Sequence, residues 1–256
     1  STGSGIPDYR DEHGEWKRAR PVMFQDFLAH EHTRRRYWAR SLVGWQRLSA
    51  ARPNAAHRAL ASLEHAGRIG QLVTQNVDGL HEAAGSRNVI DLHGRIDVVR
   101  CLDCEQRVPR ADVQAELARR NPDFIDLAAR EAPDGDADLD GVDFGAFDVP
   151  ACASCGGLLK PDVVFFGESV PAERVRRAMA ALEAADAMLI VGSSLMVLSG
   201  YRFAKAMAQA GKPIAAVNLG RTRADDLLTL KVAAHCADAL QLALTASARP
   251  PQLRPH

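Results

Sequence analysis

Three apolar runs, each following a segment whose apolar residues recur at helical spacing, constrain the fold of this chain most strongly. The runs are Ile69–Thr74, Ala187–Val191 and Pro213–Val217. Largely apolar strands are buried on both faces, and strands that alternate with helices form parallel sheets. The sequence therefore predicts an α/β fold built on a doubly wound, Rossmann-like parallel sheet.

The segments before these runs carry helix signals. We expect one helix from a cap at Asn54 to a stop at Gly67, one carrying Val175, Met179 and Leu182, and one capped by Ser199, carrying Phe203 and Met207 and ended by Gly211.

Polar or glycine-rich turns follow all three predicted strands: Thr74–His81, Gly192–Ser194 and Asn218–Gly220. Ligands of open parallel sheets bind just outside the carboxyl ends of the strands, so these turns mark one candidate crevice. Tight connections between strands and helices also need Gly, Ser and Asn, and that simpler explanation stays open at this point.

Four of the five cysteines form two C-x-x-C pairs, Cys101 with Cys104 and Cys152 with Cys155. Two such pairs complete a tetrahedral Zn²⁺ site that leaves no position for water, so the metal is expected to be structural. Redox chemistry is the competing interpretation. It is disfavoured because a redox site needs only one C-x-x-C pair, whereas this chain has two. The lone Cys236 is expected to be a small buried side chain.

The cysteine pairs bound an inserted segment, and they divide the chain. We expect a Rossmann-like domain from residues 1–100 and 156–247, with a helical insertion at about 20–52. Residues 101–155 form a zinc-binding module with a solvated acidic loop, and residues 248–256 form a flexible tail.

Composition excludes several classes of protein. The 256 residues, 46% of them hydrophobic, suffice for one sizeable domain with a small module. The 32 basic and 32 acidic residues cancel, which argues against a nucleic-acid binder with a broad basic face.

No apolar run is long enough to cross a bilayer, so we expect no membrane association. Cysteines grouped as C-x-x-C pairs fit metal binding in a reducing compartment better than a secreted disulfide framework. We therefore expect the protein in the cytoplasm, or in the mitochondrial matrix if a targeting segment precedes Ser1.

Seven motifs, in the same order along nearly the whole chain, resemble those of the sirtuin family. They are Gly3–Arg10, Thr74–His81, Leu92–Gly94, the two cysteine pairs, Lys160–Glu168, Gly192–Leu195 and Val217–Gly220. Tyr37–Trp45 and the long linker between the cysteine pairs are similar to the mitochondrial-type, class II branch. In the family a strand and a Gly-Ala-Gly turn come before the first motif, and we expect them to precede Ser1.

The resemblance implies an NAD⁺-dependent protein-lysine deacylase whose substrates are acyl-lysine proteins or peptides. The acyl oxygen attacks the nicotinamide ribose, nicotinamide leaves, and a base activates a ribose hydroxyl that takes over the acyl group as 2′-O-acyl-ADP-ribose. His93 matches the base, and an imidazole titrates in the right range. Asn76 and Asp78 match the residues that hold the ribose and the carboxamide. Taken alone, the histidine could be structural, and Asn and Asp are common turn caps.

Further NAD⁺ contacts follow from the same resemblance. Within the matching motifs, Arg10 would pair with pyrophosphate and Tyr9 would shield the reacting face. The implied cofactor-binding residues are Ile6, Asp8, Tyr9, Arg10, Gln75, Asn76, Val77, Asp78, Gly192, Ser193, Ser194, Asn218, Leu219, Gly220 and Cys236.

One segment matches the place where the acyl-lysine peptide adds as an extra strand. It consists of Val163, Val164, Phe165, Phe166 and Gly167. Val164 and Phe165 would wall an apolar lysine tunnel, although a buried strand has the same composition. Tyr37 and Arg40 have the Y-x-x-R spacing that recognises carboxylated acyl groups in another sirtuin branch. They share a helix face, which predicts a preference for carboxylated or longer acyl groups, but an ordinary solvated or packing helix explains an arginine-rich stretch as well.

Three alternatives to the deacylase remain. Mono-ADP-ribosyl transfer would use the same site, because it also begins with nicotinamide departure. The second alternative is not an enzyme: a zinc-containing module that senses NAD⁺ or ADP-ribose with little turnover. A hydride-transferring oxidoreductase is disfavoured, since no G-x-G-x-x-G turn follows a visible strand.

Overall fold

The computed structural model describes residues 2–6, 21–125, 130–131, 137–138 and 141–247. Its α-helices are α1 (Phe24–Ala29), α2 (Glu31–Ala50), α3 (Ala55–His65), α4 (Leu80–Ala83), α5 (Arg110–Arg120), α6 (Ala172–Ala184), α7 (Leu198–Gln209) and α8 (Cys236–Ser247). Its strands are β1 (Leu72–Thr74), β2 (Val89–Asp91), β3 (Gly94–Cys101), β4 (Arg107–Pro109), β5 (Arg130–Glu131), β6 (Ala137–Asp138), β7 (Leu159–Val163), β8 (Met188–Val191), β9 (Ile214–Val217) and β10 (Leu230–Val232). Short 3₁₀ turns lie at Thr2–Ser4, Pro122–Phe124 and Asp225–Leu227.

Local signals at α3 are confirmed in detail. The side chain of Asn54 accepts hydrogen bonds from the N–H groups of Ala56 and His57, and His57 in turn accepts from the N–H of Asn54. This reciprocal cap satisfies N–H groups that a helix start leaves without partners. At the other end Gly67 adopts φ +70, a left-handed conformation in which glycine meets little strain. β1 begins three residues later than predicted, after Gly70, and glycine is poorly suited to a strand.

The strands form four sheets. β1 pairs with β2 in parallel, and β8, β9 and β10 form a second parallel sheet in the order β10-β9-β8. β3 lies between β4 and β7 in an antiparallel sheet, and β5 pairs with β6. The predicted α/β class with parallel strands is therefore confirmed. Among the described residues, no helix combines the length and apolar character that a bilayer crossing requires.

The two parallel sheets face each other across a gap. Residues of β1 and of β8 line the same cavity, and within the described ranges these strands are not hydrogen-bonded to each other. Val73 of β1 and Leu189 of β8 lie on edge strands and are 38% and 44% exposed. Both strands therefore present an edge to the cavity.

The helical insertion and the cysteine-bounded segment share one hydrophobic core. Trp38 of α2 is fully buried in it, and its indole N–H donates to the carbonyl oxygen of Leu159 at 3.3 Å. The buried guanidinium of Arg110 lies 5.3 Å from the Trp38 ring and 5.0 Å from that of Trp45. The buried cation is stabilised in two ways. It makes cation-π contacts with both rings, and it donates hydrogen bonds to the carbonyl and hydroxyl oxygens of Ser41.

Candidate functional site

The carboxyl ends of β1 and β2 lie side by side and bring Gln75 next to His93. The strands are parallel, with Thr74 paired to Asp91, so the chain leaves both at the same edge. Beyond them, the Leu92 N–H still donates to the carbonyl oxygen of Thr74 at 2.9 Å. The Nδ1 atom of His93 then lies 3.0 Å from the carbonyl oxygen of Gln75. Two of the predicted motifs therefore meet at one imidazole ring.

Two contacts fix the ring of His93 and the position of its hydrogen. A carbonyl oxygen can only accept, so Nδ1 carries the hydrogen and donates it to Gln75. Nε2 therefore has the lone pair, and it lies 2.8 Å from the hydroxyl of Ser199. Burial lowers the pKa of His93; the bond to Gln75 opposes this, and the nearby Arg174 guanidinium adds to the lowering. A neutral ring with a lone pair at Nε2 can act as a base.

The prediction that Ser199 caps a helix is wrong. α7 begins one residue earlier, at Leu198, with Val197 in the cap position. Ser199 therefore lies in the first turn, where its hydroxyl bonds to His93 across 106 positions of sequence. No local pattern could have revealed this contact, because serine at a helix start is ordinarily a cap.

The turn after β1 holds Asn76 and Asp78 in different surroundings. The Asn76 N–H donates to the Thr74 hydroxyl at 3.1 Å, while its exposed side chain lines the cavity. One carboxylate oxygen of Asp78 accepts from the N–H of Leu80 at 3.0 Å. The turn-capping role that competes with cofactor binding is thus present for Asp78. Gly79 has φ +69, which suits the tight entry into α4.

A cavity of about 1360 Å³ lies between the two parallel sheets and extends to these turns. The predicted cofactor-binding residues in its wall are Gln75, Asn76, Gly192, Ser193, Asn218, Leu219 and Cys236. Outside this wall lie the predicted residues Ile6, Val77, Asp78, Ser194 and Gly220. His93 is also outside it, but its ring is hydrogen-bonded to Gln75, which belongs to the wall. Asp8, Tyr9 and Arg10 lie outside the described residues. Because the cavity includes the open strand edges, its volume exceeds that of a ligand site alone.

Side chains from both parallel sheets meet in the cavity wall. The Gln75 amide donates to the Ser193 hydroxyl at 3.1 Å, which joins the turn after β1 to the turn after β8. A Cβ on Gly200 would lie 2.5 Å from the Gln75 side-chain oxygen, so the glycine leaves room for this side chain. Polar groups beside small residues match what a dinucleotide requires of a crevice at strand ends.

The far part of the wall is built from β8, β9 and the start of α8. Gly192 has φ +57, and a Cβ there would lie 3.2 Å from the sulfur of Cys236. The Cys236 thiol is 3.5 Å from the Val217 carbonyl oxygen, and burial raises its pKa. The Asn218 amide donates to the Gly220 carbonyl oxygen at 2.8 Å and closes the turn after β9. Gly192 and Val217 therefore both lie close to Cys236 in this part of the wall.

The predicted substrate segment begins directly against His93. Val163 pairs with Gly94 across β7 and β3, and the N–H of Val164 donates to the carbonyl oxygen of His93 at 2.8 Å. Gly94 has φ +83, and a Cβ there would lie 1.9 Å from the backbone oxygen of Asp162. Only glycine fits after the histidine, which explains the Leu92–Gly94 string.

A buried ion pair holds the middle of the predicted substrate segment. The ammonium of Lys160 is 1% exposed and lies 3.0 Å from the carboxylate of Glu168. The same carboxylate oxygen accepts from the N–H of Phe165 at 2.8 Å, and the ammonium lies 4.5 Å from the Phe165 ring. Burial lowers the pKa of Lys160, and Glu168 opposes that lowering. The pair therefore orders the loop that carries Phe165.

The end of the segment is paired with the start of the helical insertion. The N–H of Phe24 donates to the Phe166 carbonyl oxygen at 2.8 Å, and the Gln25 amide donates to the Gly167 carbonyl oxygen at 3.0 Å. Two hydrogen bonds from α1 therefore hold this part of the backbone, which turns at Gly167 with φ +81. Peptide addition along the segment stays a prediction.

Tyr37 and Arg40 do share a face of α2, but Tyr37 is a core residue. It is 5% exposed, and its ring lies 5.6 Å from that of Phe27 and 5.0 Å from that of Phe165. The contact with Phe165 places Tyr37 directly behind the predicted wall of the lysine tunnel. Arg40 is partly buried one turn further along.

The four paired cysteines converge as predicted. All four sulfur atoms lie within 4.8 Å of one another, with 3.5 Å between Cys101 and Cys155 and 3.8 Å between Cys104 and Cys152. Tetrahedral Zn²⁺ with bonds of about 2.3 Å separates its sulfur ligands by about 3.8 Å, so the residues fit the ion. The backbone N–H of Cys104 helps to lower the pKa of Cys101 to about 7. The pKa of Cys155 is raised to about 12, because the Gly157 N–H lowers it less than the Cys104 and Cys101 thiols raise it.

The comparisons with known proteins agree with this geometry. A sequence profile of the Sir2 family matches residues 1–199. A Xanthomonas campestris pv. campestris (strain 8004) protein named NAD-dependent protein deacetylase is 67% identical over 240 residues, covering 94% of this chain and 82% of that protein. A Bradyrhizobium diazoefficiens protein named NAD-dependent protein deacetylase 2 is 64% identical over 244 residues, covering 95% of this chain and 89% of that protein. A solved Sir2 structure with p53 peptide and NAD⁺ has a TM-score of 0.73 at 29% identity, covering 96% of this chain and 88% of that one. A Sir2 bound to acetylated peptide has a TM-score of 0.71 at 28% identity, with the same coverage.

Proposed function

This chain belongs to the Sir2 family, and from that premise we propose that it deacylates protein lysines with His93 as the general base and a preference for carboxylated or longer acyl groups. Its relatives and fold make it an NAD⁺-dependent protein deacetylase, with NAD⁺ as co-substrate and one structural zinc. The catalytic residues and the acyl preference are the part that we propose.

The observation that carries the assignment of His93 is the hydrogen bond from its Nδ1 to the Gln75 carbonyl oxygen, which leaves Nε2 as the basic nitrogen. Burial lowers the pKa of the ring, and Nε2 contacts the Ser199 hydroxyl, a place that a ribose hydroxyl could take over. Gln75, Asn76 and Ser193 line the crevice beside it and would hold the ribose end of the dinucleotide, with Asp78 at the carboxamide. Asn218 and Cys236, further along the wall, would meet the adenosine end. NAD⁺ supplies an electrophilic ribose carbon and the hydroxyl that receives the acyl group.

A peptide panel tests this assignment. Acetyl-, succinyl-, glutaryl- and long-chain acyl-lysine peptides are incubated with NAD⁺, and products are identified by mass spectrometry. We expect nicotinamide, free lysine and acyl-ADP-ribose, all lost in His93→Tyr and retained in His65→Tyr, a change at an exposed histidine. Transfer of ADP-ribose to protein would instead favour the transferase. Binding of NAD⁺ with no product from any peptide would favour a sensing module.

The acyl preference rests on the position of Tyr37 behind Phe165 and of Arg40 one helical turn away. A guanidinium that reaches the tunnel end would pair with an acyl carboxylate and leave acetyl groups unaffected. We expect Arg40→Ala to reduce kcat/KM for glutaryl-lysine by about tenfold or more, the size of a charge-assisted hydrogen bond. Arg36→Ala, an exposed arginine of the same helix, is the matched control. Equal effects on acetyl- and glutaryl-peptides would refute the preference.

A further inference from the structure

The hydroxyl of Ser199 occupies the side of the His93 ring from which a base must act. Nδ1 is committed to Gln75, so Nε2 is the acceptor, and Ser199 must be the donor over 2.8 Å. The ring is therefore held at both nitrogens, by a main-chain carbonyl oxygen on one side and by a hydroxyl on the other. A histidine bonded at both nitrogens cannot flip or exchange tautomers without breaking a bond.

The hydroxyl is held in place by the first turn of α7. The N–H groups of Gly200 and Tyr201 both donate to the carbonyl oxygen of Val197 at 3.2 Å, which fixes the backbone on the C-terminal side of Ser199. The neighbouring Gly200 leaves space for the side chain of Gln75, where a Cβ would lie at 2.5 Å. One helix turn thus contacts both the ring and the residue that holds the opposite side of the ring.

We propose that Ser199 is a positioning residue for His93, holding the ring with its Nδ1 hydrogen on Gln75 and its basic Nε2 toward the reacting hydroxyl before substrate binds. The idea rests on the proposed role of His93 as base. An incoming ribose hydroxyl would replace one O–H···N bond by another, so the ring need not turn when the substrate arrives. Burial lowers the pKa of the ring, and the nearby Arg174 guanidinium of α6 adds to that lowering, so both disfavour the imidazolium.

Nitrogen NMR of the protein without NAD⁺ tests the holding role directly. The ¹⁵N shifts of the His93 ring should report one neutral tautomer, with hydrogen on Nδ1, in the unmodified protein. In Ser199→Ala we expect the Nε2 signal to move towards that of a nitrogen that accepts no hydrogen bond, because Nε2 loses the Ser199 hydroxyl, whereas Ser199→Thr, which keeps a hydroxyl, should leave the signal nearly unchanged. An unchanged Nε2 signal in Ser199→Ala would overturn the proposal, even if the enzyme turned out to have another activity.

Kinetics distinguish positioning from other roles. Ser199→Ala should lower kcat about tenfold with KM for NAD⁺ changed less than twofold, and Ser199→Thr should restore most of the rate. A lower KM with unchanged kcat would mean that the hydroxyl only competes with substrate, and it would overturn the proposal. A loss of thermal stability in Ser199→Ala with unchanged kcat would show a purely structural role and would do the same. Ser49→Ala, at an exposed serine of α2, serves as control.

Discussion

Replacing Lys160 by methionine removes one buried charge from β7, next to the loop that carries Phe165, and keeps an unbranched apolar side chain that is one atom shorter. The ammonium is 1% exposed, lies 3.0 Å from a Glu168 carboxylate oxygen, and also donates to the carbonyl oxygens of Pro161 and Val163. Three acceptors therefore lose their donor in one step. Methionine lacks the ammonium that lies 4.5 Å from the Phe165 ring, but its thioether can pack against that ring, so packing alone should change little.

The expected cost follows from the fate of Glu168. Removing one member of a buried ion pair typically costs about 3–5 kcal/mol. Here the carboxylate keeps the Phe165 N–H at 2.8 Å and the Arg100 guanidinium at 3.5 Å, so the lower end applies. A loss of about 3 kcal/mol in the free energy of unfolding corresponds to a fall in Tm of roughly 6–12 °C for a chain of this size.

Denaturant unfolding and peptide kinetics together test this reasoning. Besides the lower stability, we expect KM for the acyl-peptide to rise several-fold with KM for NAD⁺ unchanged, because Phe165 and its loop lose their anchor. Lys231→Met is the matched control: its ion pair with Asp225 spans 2.8 Å, but both side chains are about 30% exposed, so the cost should stay below about 1 kcal/mol. Equal losses in the two variants would refute the argument from burial.

Three further predictions follow from other parts of the chain. Cys152→Ser should abolish the one bound zinc, measured by metal analysis, and unfold the module, whereas Cys236→Ser should keep the zinc. Gly94→Ala should cost more than about 2 kcal/mol, since φ is +83 and the new Cβ would meet the Asp162 carbonyl oxygen, which cannot move aside; thermal unfolding measures this. Burial and a neighbouring carboxylate of α4 raise the pKa of Asp91 to about 7. The folded state therefore holds a proton that the unfolded chain releases, so stability should fall as pH rises from about 4 to 7, and Asp91→Asn should flatten this slope in unfolding curves at pH 5 and 8.

Some parts of the structure could be predicted from the sequence because their signals are local. The cap at Asn54 and the stop at Gly67 depend on residues a few positions apart, and C-x-x-C spacing already places two thiolates on one ion. Ser199 and Tyr37 show the limit. Serine at a helix start has the same local signal whether its hydroxyl caps the helix or reaches a ring 106 positions away. The helix face of Tyr37 was predictable, but its burial depends on Phe165, which comes from a distant strand end.

His93 joins the three regions that the sequence motifs mark separately. Its Nδ1 bonds to Gln75 in the predicted NAD⁺ motif, its Nε2 to Ser199 on α7, and its carbonyl oxygen to the N–H of Val164 in the predicted substrate segment. The predicted NAD⁺ motif, α7 and the predicted substrate segment are therefore each one hydrogen bond from the same residue. Such an arrangement requires a backbone that turns sharply immediately after the histidine, and Gly94 supplies that turn with its positive φ. The short Leu-His-Gly string therefore connects these regions. Substitutions that shift the backbone at Val164 or Gln75 should change the orientation of the His93 ring, although His93 itself is unchanged.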